Sequence, residues 1–500
     1  MGINREAGEP RKPVSDTDSS TSESDSLASL SSSDISSKIL KINSDAVEHT
    51  LLGHVELNNR SARDHEILTA PIFTRDAYIA GGGAASFPQR GVLGSVMDIG
   101  GGSSAESSKP HDARLYVNTV RQNTPFSAVV CGVQGSGKSH TVSILLENML
   151  IPKYKPTGEL VKPLSALVLH FGEGGSLAQP SEAAWVTVAN ASALKVPNIK
   201  VYVSKSALKT MTAVYAKLGP HVKVEPLLFS HFALDAQAFL SMMAVGQNGN
   251  PPLYMSSVMS ILHALGEDYT YAKFKAKVDK HKENLNAQQL NSLDQRMLLL
   301  ETFLENKITA SRSRFAAGQL TVVDLSDPFL DPSQACGLFE IVTRLFVRAK
   351  VDTGRLLVLD EAHKYLDSGT GFTRQLTALI RLQRHLAMRV IIKPNVVPPI
   401  LLDLCTISIL HRFSSPSWWE HVAKHVSTDI PSAEAFDRIV KLQTGQAIVL
   451  APSGLGTFED RSQTKSEKKV LGQFGRRWLL VKTRQRVTRD GGASVLVVNN

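Results

Sequence analysis

Gly132-Val133-Gln134-Gly135-Ser136-Gly137-Lys138-Ser139 is the stretch that decides the fold. It has the spacing G-x-x-x-x-G-K-[ST]. The apolar run Ser127-Ala-Val-Val-Cys131 before it reads as a buried strand, and His140 to Leu150 after it reads as a helix. Glycines at these places let the backbone wrap close to an anion. Successive N–H groups from Gly132 through His140, and the helix N-terminus, then point at a chain of phosphates. In such a loop Lys138 reaches the β- and γ-phosphates, and the Ser139 hydroxyl completes the shell of a Mg²⁺ ion. A chance match in a glycine-rich turn does not account for the strand before it and the helix after it. The expectation is a nucleoside triphosphate site.

Strand–helix alternation surrounds the loop. Ala166–His170, Ile199–Val203 and Val222–Val224 read as short strands downstream of it. Leu320–Leu325, Leu356–Leu359, Arg389–Ile392, Thr406–Leu410 and Ala447–Leu450 read as further strands, with helices over Cys336–Ala349 and Gly371–Ala387. Alternation of this kind predicts an α/β protein, a P-loop NTPase with a mainly parallel sheet flanked by helices and ligands at the carboxyl ends of the strands. Residues 232–310 break the pattern. Leu290, Leu293, Met297, Leu300 and Leu304 recur at helical spacing, and Tyr254–Leu265 also reads as helix. This is a helical insertion whose stripe is packing core.

The strand Leu356-Leu-Val-Leu359 runs directly into Asp360-Glu361-Ala362-His363. Asp360 is expected to face the Mg²⁺ held by Ser139. Glu361 is expected to polarise a water for in-line attack on the γ-phosphorus. Adjacent acids after a strand also serve as an innocent helix cap, but the intact loop at 132–139 favours the catalytic reading. ATP is the expected nucleotide: the nearest string to a guanine-reading Asn-Lys-x-Asp is Asn306-Lys307-Ile308-Thr309, which lacks the acid. A helicase reading of Asp-Glu-Ala-His fails on spacing. Asp360 lies 222 residues after Lys138, and the 140 residues that follow it are too few for a complete second lobe.

Composition bounds the rest. Hydrophobic content of 42% and charged content of 20% are those of an ordinary globular chain with no membrane span. Cys131, Cys336 and Cys405, odd in number and widely spaced, make neither a disulfide framework nor a zinc pattern, so an intracellular location, cytoplasmic or nuclear, is expected. The net charge of +9 is uneven: residues 1–50 carry five basic and nine acidic side chains, which leaves +13 on the remainder. Residues 1–45, rich in Ser, Asp and Glu, are expected to be disordered. Residues 46–110, with glycine runs at 81–83 and 100–102, form a poorly defined appended segment, and 111–500 form the NTPase domain.

Three features together resemble the HerA/FtsK-like ATPases, RecA-type P-loop proteins with an additional strand between the P-loop and acidic strands. They are Leu320–Ser326 followed by a helix and the acidic strand, the basic helix end Ile380–Val390, and the late acidic motif behind a helical insertion. The chain further resembles a group of eukaryotic P-loop proteins of this size, through Pro125–Gly132, Asp360–Lys364, the Val-Pro-Pro at 397–399, His411-Arg412-Phe413 and Arg489-Asp490-Gly491-Gly492. The resemblance implies a ring-forming homo-oligomer, a hexamer, that moves along DNA. It also implies a polar sensor, Ser/Thr-Gln, after Ile392, where this chain has Lys393-Pro394-Asn395, so Lys393 or Asn395 stands in for it or the activity is impaired.

Ring motors deliver an arginine to a neighbour's γ-phosphate. Arg412 is the candidate, against the alternative of an ordinary surface arginine. Trp418-Trp419 nearby reads as a subunit contact or a local cluster. Residues 461–490 hold ten Lys/Arg against two acids. Alternation over 481–487 would put Lys482, Arg484 and Arg486 on one strand face, able to track a nucleic-acid backbone. Two readings stay open: a nucleic-acid-stimulated ATPase motor, and an ATP-dependent switch or scaffold with weak turnover that binds protein partners. A metabolite kinase fits less well, because no acceptor site is evident.

Overall fold

The structure is a computed structural model that describes residues 64–101, 112–119, 124–231, 235–236, 239–240, 253–305, 314–394, 398–426, 428–429, 431–459 and 469–491. The chain divides into a unit Met1–Asp64 and a unit His65–Asn500. The sheet and the candidate site lie in the second. The expected disorder of 1–45 lies outside the described residues, as do Asn306–Thr309, Asn395 and 461–468.

In chain order the strands are β1 (Ile72–Thr74), β2 (Arg90–Gly100), β3 (Arg114–Asn118), β4 (Ser127–Cys131), β5 (Gly158–Glu159), β6 (Ser165–His170), β7 (Asn198–Val203) and β8 (Lys223–Pro226). There follow β9 (Gln319–Asp324), β10 (Arg355–Leu359), β11 (Met388–Ile392), β12 (Ile407–Leu410), β13 (Gln446–Leu450), β14 (Leu455–Glu459), β15 (Lys469–Gln473) and β16 (Trp478–Thr483). All belong to one sheet in the order β15-β14-β1-β3-β2-β16-β13-β12-β4-β11-β10-β6-β9-β7-β8, with β5 pairing β2. From β12 through β8 every neighbouring pair is parallel. One strand, β11, lies between the loop-bearing β4 and the acid-bearing β10, as the resemblance implies.

Parallel strands buried on both faces read as continuous apolar runs, and β4 and β11 are buried at every position. Alternate side chains serve two cores. Val129, Cys131, Leu357, Leu359, Val390 and Ile392 face the helices Pro332–Arg348 and Gly371–Arg381 and the insertion. Ala128, Val130, Leu356, Val358 and Ile391 face the helix Lys138–Leu150. The insertion stripe is packing, as read: Leu293, Met297 and Leu300 are buried with Tyr254 and Phe274 in the first of these cores.

Two helix ends differ from expectation. The helix expected from Cys336 starts at Pro332, behind a reciprocal capping box between Asp331 and Gln334. The helix expected to reach Ala387 stops at Arg381, and Ala387 takes a left-handed turn (φ 47) that sends the chain into β11. The larger difference is the sheet's other half. Residues 65–101 are no separate appendage: β2 pairs with β16 and β3, so early and late parts of the chain build one wing, antiparallel except where β1 meets β14, continuous with the parallel block. Its β2–β16 pairings join residues 378 to 389 positions apart, from Gly100 with Trp478 to Gly94 with Thr483, so no local pattern announces them.

Candidate nucleotide-binding site

Because β4, β11, β10, β6 and β9 run parallel side by side, their carboxyl ends deliver the loop 132–139, Lys393, Asp360-Glu361, His170 and Asp324 to one crevice. The loop is held from below. Val133 N–H donates to the Arg412 carbonyl (2.9 Å), the Ser136 hydroxyl to the Val133 carbonyl (2.7 Å) and Gly445 N–H to the Ser136 carbonyl (3.2 Å). Gly132 has φ +150, and a Cβ there would lie 2.6 Å from Ser136 Oγ and 2.8 Å from His411 Cβ. Gly137, left-handed at φ 110, caps the helix Lys138–Leu150 without a side-chain hydrogen bond, so the helix N-terminal amides stay available to an anion. Beneath the helix, Thr141 Oγ1 donates to His411 Nε2 (2.9 Å) while His411 Nδ1 donates to the Gln446 carbonyl (2.9 Å). Burial pushes the His411 ring down to about 4; the Gln446 bond resists, and the charges of Lys138 and His140 add to the drop. The ring is neutral, which suits this acceptor–donor pattern.

Lys138 is buried, and its ammonium donates to the carbonyls of Gly132 (2.7 Å) and Val133 (3.0 Å). Burial lowers its pKa, and the nearby charge of Lys393 lowers it further against the pull of Glu361. A lysine so placed gains by turning its charge onto phosphate oxygens.

The acidic wall is a network. Asp360 Oδ2 accepts from His170 Nδ1 (2.9 Å) and from the Ser181 hydroxyl (3.3 Å). The Tyr215 hydroxyl donates to Asp324 Oδ2 (2.7 Å) and accepts from Ser181 N–H (3.2 Å). Burial opposes a charged His170 ring, but Asp324 and then Asp360 outweigh it and raise its pKa. Burial likewise opposes a charged Asp360, and Lys393 and His170 overcome it, so the carboxylate stays ionised well below the usual range. Glu361 sits in the left-handed region (φ 50), a conformation that costs a non-glycine residue about 1–2 kcal/mol and turns its carboxylate into the crevice beside Lys393.

Lys393 ties these parts together. Its ammonium lies 2.5 Å from Asp360 Oδ1, 3.1 Å from Glu361 Oε1 and 3.2 Å from Ser139 Oγ. Burial would lower its pKa, and the two carboxylates more than reverse that. Ser139 and Asp360 are oxygen donors of the chemistry a Mg²⁺ requires. The ammonium, however, stands between them. A divalent ion about 3 Å from it would be repelled by on the order of 10 kcal/mol even at an effective dielectric constant of about 20. With Lys393 in this position the donor pair does not accommodate the metal.

The structure therefore brings together Gly132, Val133, Gln134, Gly135, Ser136, Gly137, Lys138, Ser139, Asp360 and Glu361, and adds Lys393. The His140 ring turns away to the Arg484 carbonyl (2.8 Å). Arg412 is exposed at the end of β12, and it is its carbonyl that braces the loop. Trp419 is buried with its Nε1 donating to Ser432 (2.9 Å), while Trp418 lines an open groove of about 540 Å³ with Phe413, His421 and Val133. The basic strand face is a correction. β16 ends at Thr483, so only exposed Lys482 lies on the strand. Arg484 and Arg486 have side chains 12% and 3% exposed and are spent internally. Arg484 pairs with Glu147 (2.6 Å), which is wholly buried on the loop helix, and Arg486 turns to Asp490 and Thr488. A buried carboxylate demands a counter-charge, and the late arginine supplies it. Sequence reasoning missed His170, His411 and Glu147. His411, directly before Arg412 at a strand end, was the most accessible of the three.

No family model matches the chain, and no curated protein does. Among solved structures it is similar to VirB4 of Thermoanaerobacter pseudethanolicus, at 15% identity over 79% of this chain and 96% of that one, with a TM-score of 0.42. It is also similar to the genome packaging NTPase B204 from Sulfolobus turreted icosahedral virus 2 in complex with AMPPCP (11% identity, 65% and 91% covered, TM-score 0.26). A third likeness is to the cytoplasmic domain of the Thermomonospora curvata Type VII secretion ATPase EccC (11%, 79% and 28%, TM-score 0.28). The P-loop NTPase fold is assigned here on the strand order and on the loop between β4 and its helix.

Proposed function

We propose that the chain binds ATP at the 132–139 loop and hydrolyses it. One observation carries this reading: Lys138, Ser139, Asp360, Glu361 and Lys393 converge from three adjacent strand ends. On binding, Lys138 exchanges its two carbonyl acceptors for β- and γ-phosphate oxygens, and the amides of 135–139 cradle the β-phosphate. Glu361, the more exposed of the two acids, orients the attacking water and takes its proton. Asp360, fixed by His170 and Ser181, holds the Ser139–Lys393 side of the crevice. Exposed Arg412 is available to a neighbouring copy, which supports extending the reading to a ring-type motor stimulated by nucleic acid. Burial of Arg484 and Arg486 favours the second reading, a switch with weak turnover.

Turnover of ATP by the purified chain, with and without single- and double-stranded DNA, tests both. Lys138→Ala is expected to lose nucleotide. Glu361→Gln is expected to hold it while turnover falls by about 10²–10⁴-fold. Turnover raised by DNA supports the motor, tight binding with negligible turnover supports the switch, and no binding at all refutes the site.

A further inference from the structure

We infer that Lys393 is a resident cation of this site: its ammonium holds the position between the Ser139 hydroxyl and the Asp360 carboxylate, and a divalent metal enters only by displacing it. The inference rests on the nucleotide-site reading and adds what neutralises the phosphates and the paired acids.

Three elements that meet only in the folded chain supply the partners: the loop helix gives Ser139, the end of β10 gives Asp360 and Glu361, and the end of β11 gives the lysine. The lysine's backbone is pinned. Its N–H donates to the Leu359 carbonyl (2.9 Å), and its own carbonyl accepts from Ala362 N–H (3.1 Å). Pro394 follows, which disfavours helical geometry at 393 and keeps the chain extended. The side chain is only 7% exposed, so its charge is directed inward rather than into solvent.

Asp360 shows the same division of labour. Its Oδ2 takes two directed hydrogen bonds, from His170 and Ser181. Its buried Oδ1 has the Lys393 ammonium at 2.5 Å and no other polar partner among the described residues. An oxygen whose one close partner is a cation has an environment that a metal would also satisfy. The position admits one cation, and this chain provides its own. A charge fixed there offsets phosphate charge beside Ser139, whether or not a divalent ion is in solution.

The experiment is a Mn²⁺ titration of the full chain, read from the electron paramagnetic resonance of free Mn²⁺, without nucleotide and then with AMPPNP. Lys393→Met, which keeps the length and removes the charge, is expected to bind Mn²⁺ at least about tenfold more tightly than wild type, while Lys393→Arg stays close to wild type. Equal Mn²⁺ affinity in wild type and Lys393→Met overturns the inference. A second measurement needs no variant. Binding of a fluorescent ATP analogue by wild type is expected to change by less than about threefold between Mg²⁺ and excess EDTA, and a loss beyond about tenfold in EDTA overturns it. Should wild type bind no nucleotide in either condition, the proposed function falls, while the nucleotide-free Mn²⁺ titration still decides the role of Lys393.

Discussion

Replacing Arg484 with Met should loosen the last described segment from the loop helix, and the structure sets the size of the effect. Glu147 is fully buried, and its carboxylate accepts from Val487 N–H (3.0 Å), Thr488 N–H (3.0 Å) and the Thr488 hydroxyl (2.6 Å) besides pairing with Arg484 Nη1 (2.6 Å). The guanidinium also donates to the Val92 carbonyl (2.8 Å) and to Asn148 Oδ1 (2.9 Å), clamping β2, the helix and the tail at one point. Removing one partner of such a buried pair costs about 3–5 kcal/mol, because the remaining charge is left uncompensated. The amides of Val487 and Thr488 report the opening directly, since both are bonded to Glu147. Their hydrogen exchange should accelerate about a hundredfold or more in Arg484→Met, at roughly 1.4 kcal/mol per factor of ten. The double variant Glu147→Leu/Arg484→Met removes both charges and should recover much of the loss. Acceleration below about fivefold, corresponding to about 1 kcal/mol, or a double variant no better than the single one, would refute the clamp.

Further outcomes follow from the same geometry. Gly132→Ala should weaken ATP binding by more than about tenfold in calorimetric titration, since its Cβ would collide with Ser136 and His411. Gly135→Ala, at φ +74 with open space around it, bears only left-handed strain of about 1–2 kcal/mol and should retain measurable binding. His411 is held neutral, down to about 4, against an ordinary value near 6.5 in the unfolded chain. Its contribution is therefore complete above about pH 6.5 and is lost as pH falls toward about 4, by up to roughly 3 kcal/mol. Urea midpoints from neutral to acid pH should fall more steeply in wild type than in His411→Gln; parallel curves would exclude the ring as the cause. The raised pKa of His170 acts oppositely, with stabilisation present at low pH and lost as pH rises through its folded value, so the comparison with His411→Gln is what isolates His411. Tyr215→Phe removes the hydroxyl that serves Asp324 and Ser181 and should lower the thermal midpoint by an amount equivalent to about 1–3 kcal/mol, an unchanged midpoint arguing against that network.

The placement of the loop at 132–139 and of the pair Asp360-Glu361 was legible because its signal is local order: glycines at set intervals, an apolar strand before each motif, a helix after the loop. The parallel block was legible for the same reason, each strand being an apolar run with a turn at its carboxyl end. Lys393 was visible only as a departure from an expected sensor; its position against Ser139 and both acids came from β11 being seated between β4 and β10. The expectation for Arg484 and Arg486 was wrong because alternation does not tell where a strand stops: β16 ends at Thr483, and both arginines lie on the segment past it. Glu147, far earlier in the chain, pairs with the first of them.

By itself, then, the sequence determined the chemistry that depends on neighbours along the chain: the phosphate loop, the acidic strand end, the helical insertion. Only the tertiary structure decided which charges meet. The β2–β16 pairing that joins the wing, the buried Glu147–Arg484 pair and the cation beside Asp360 all join residues more than thirty positions apart, where pairing is set by the sheet's strand order and by the cost of burying a lone charge.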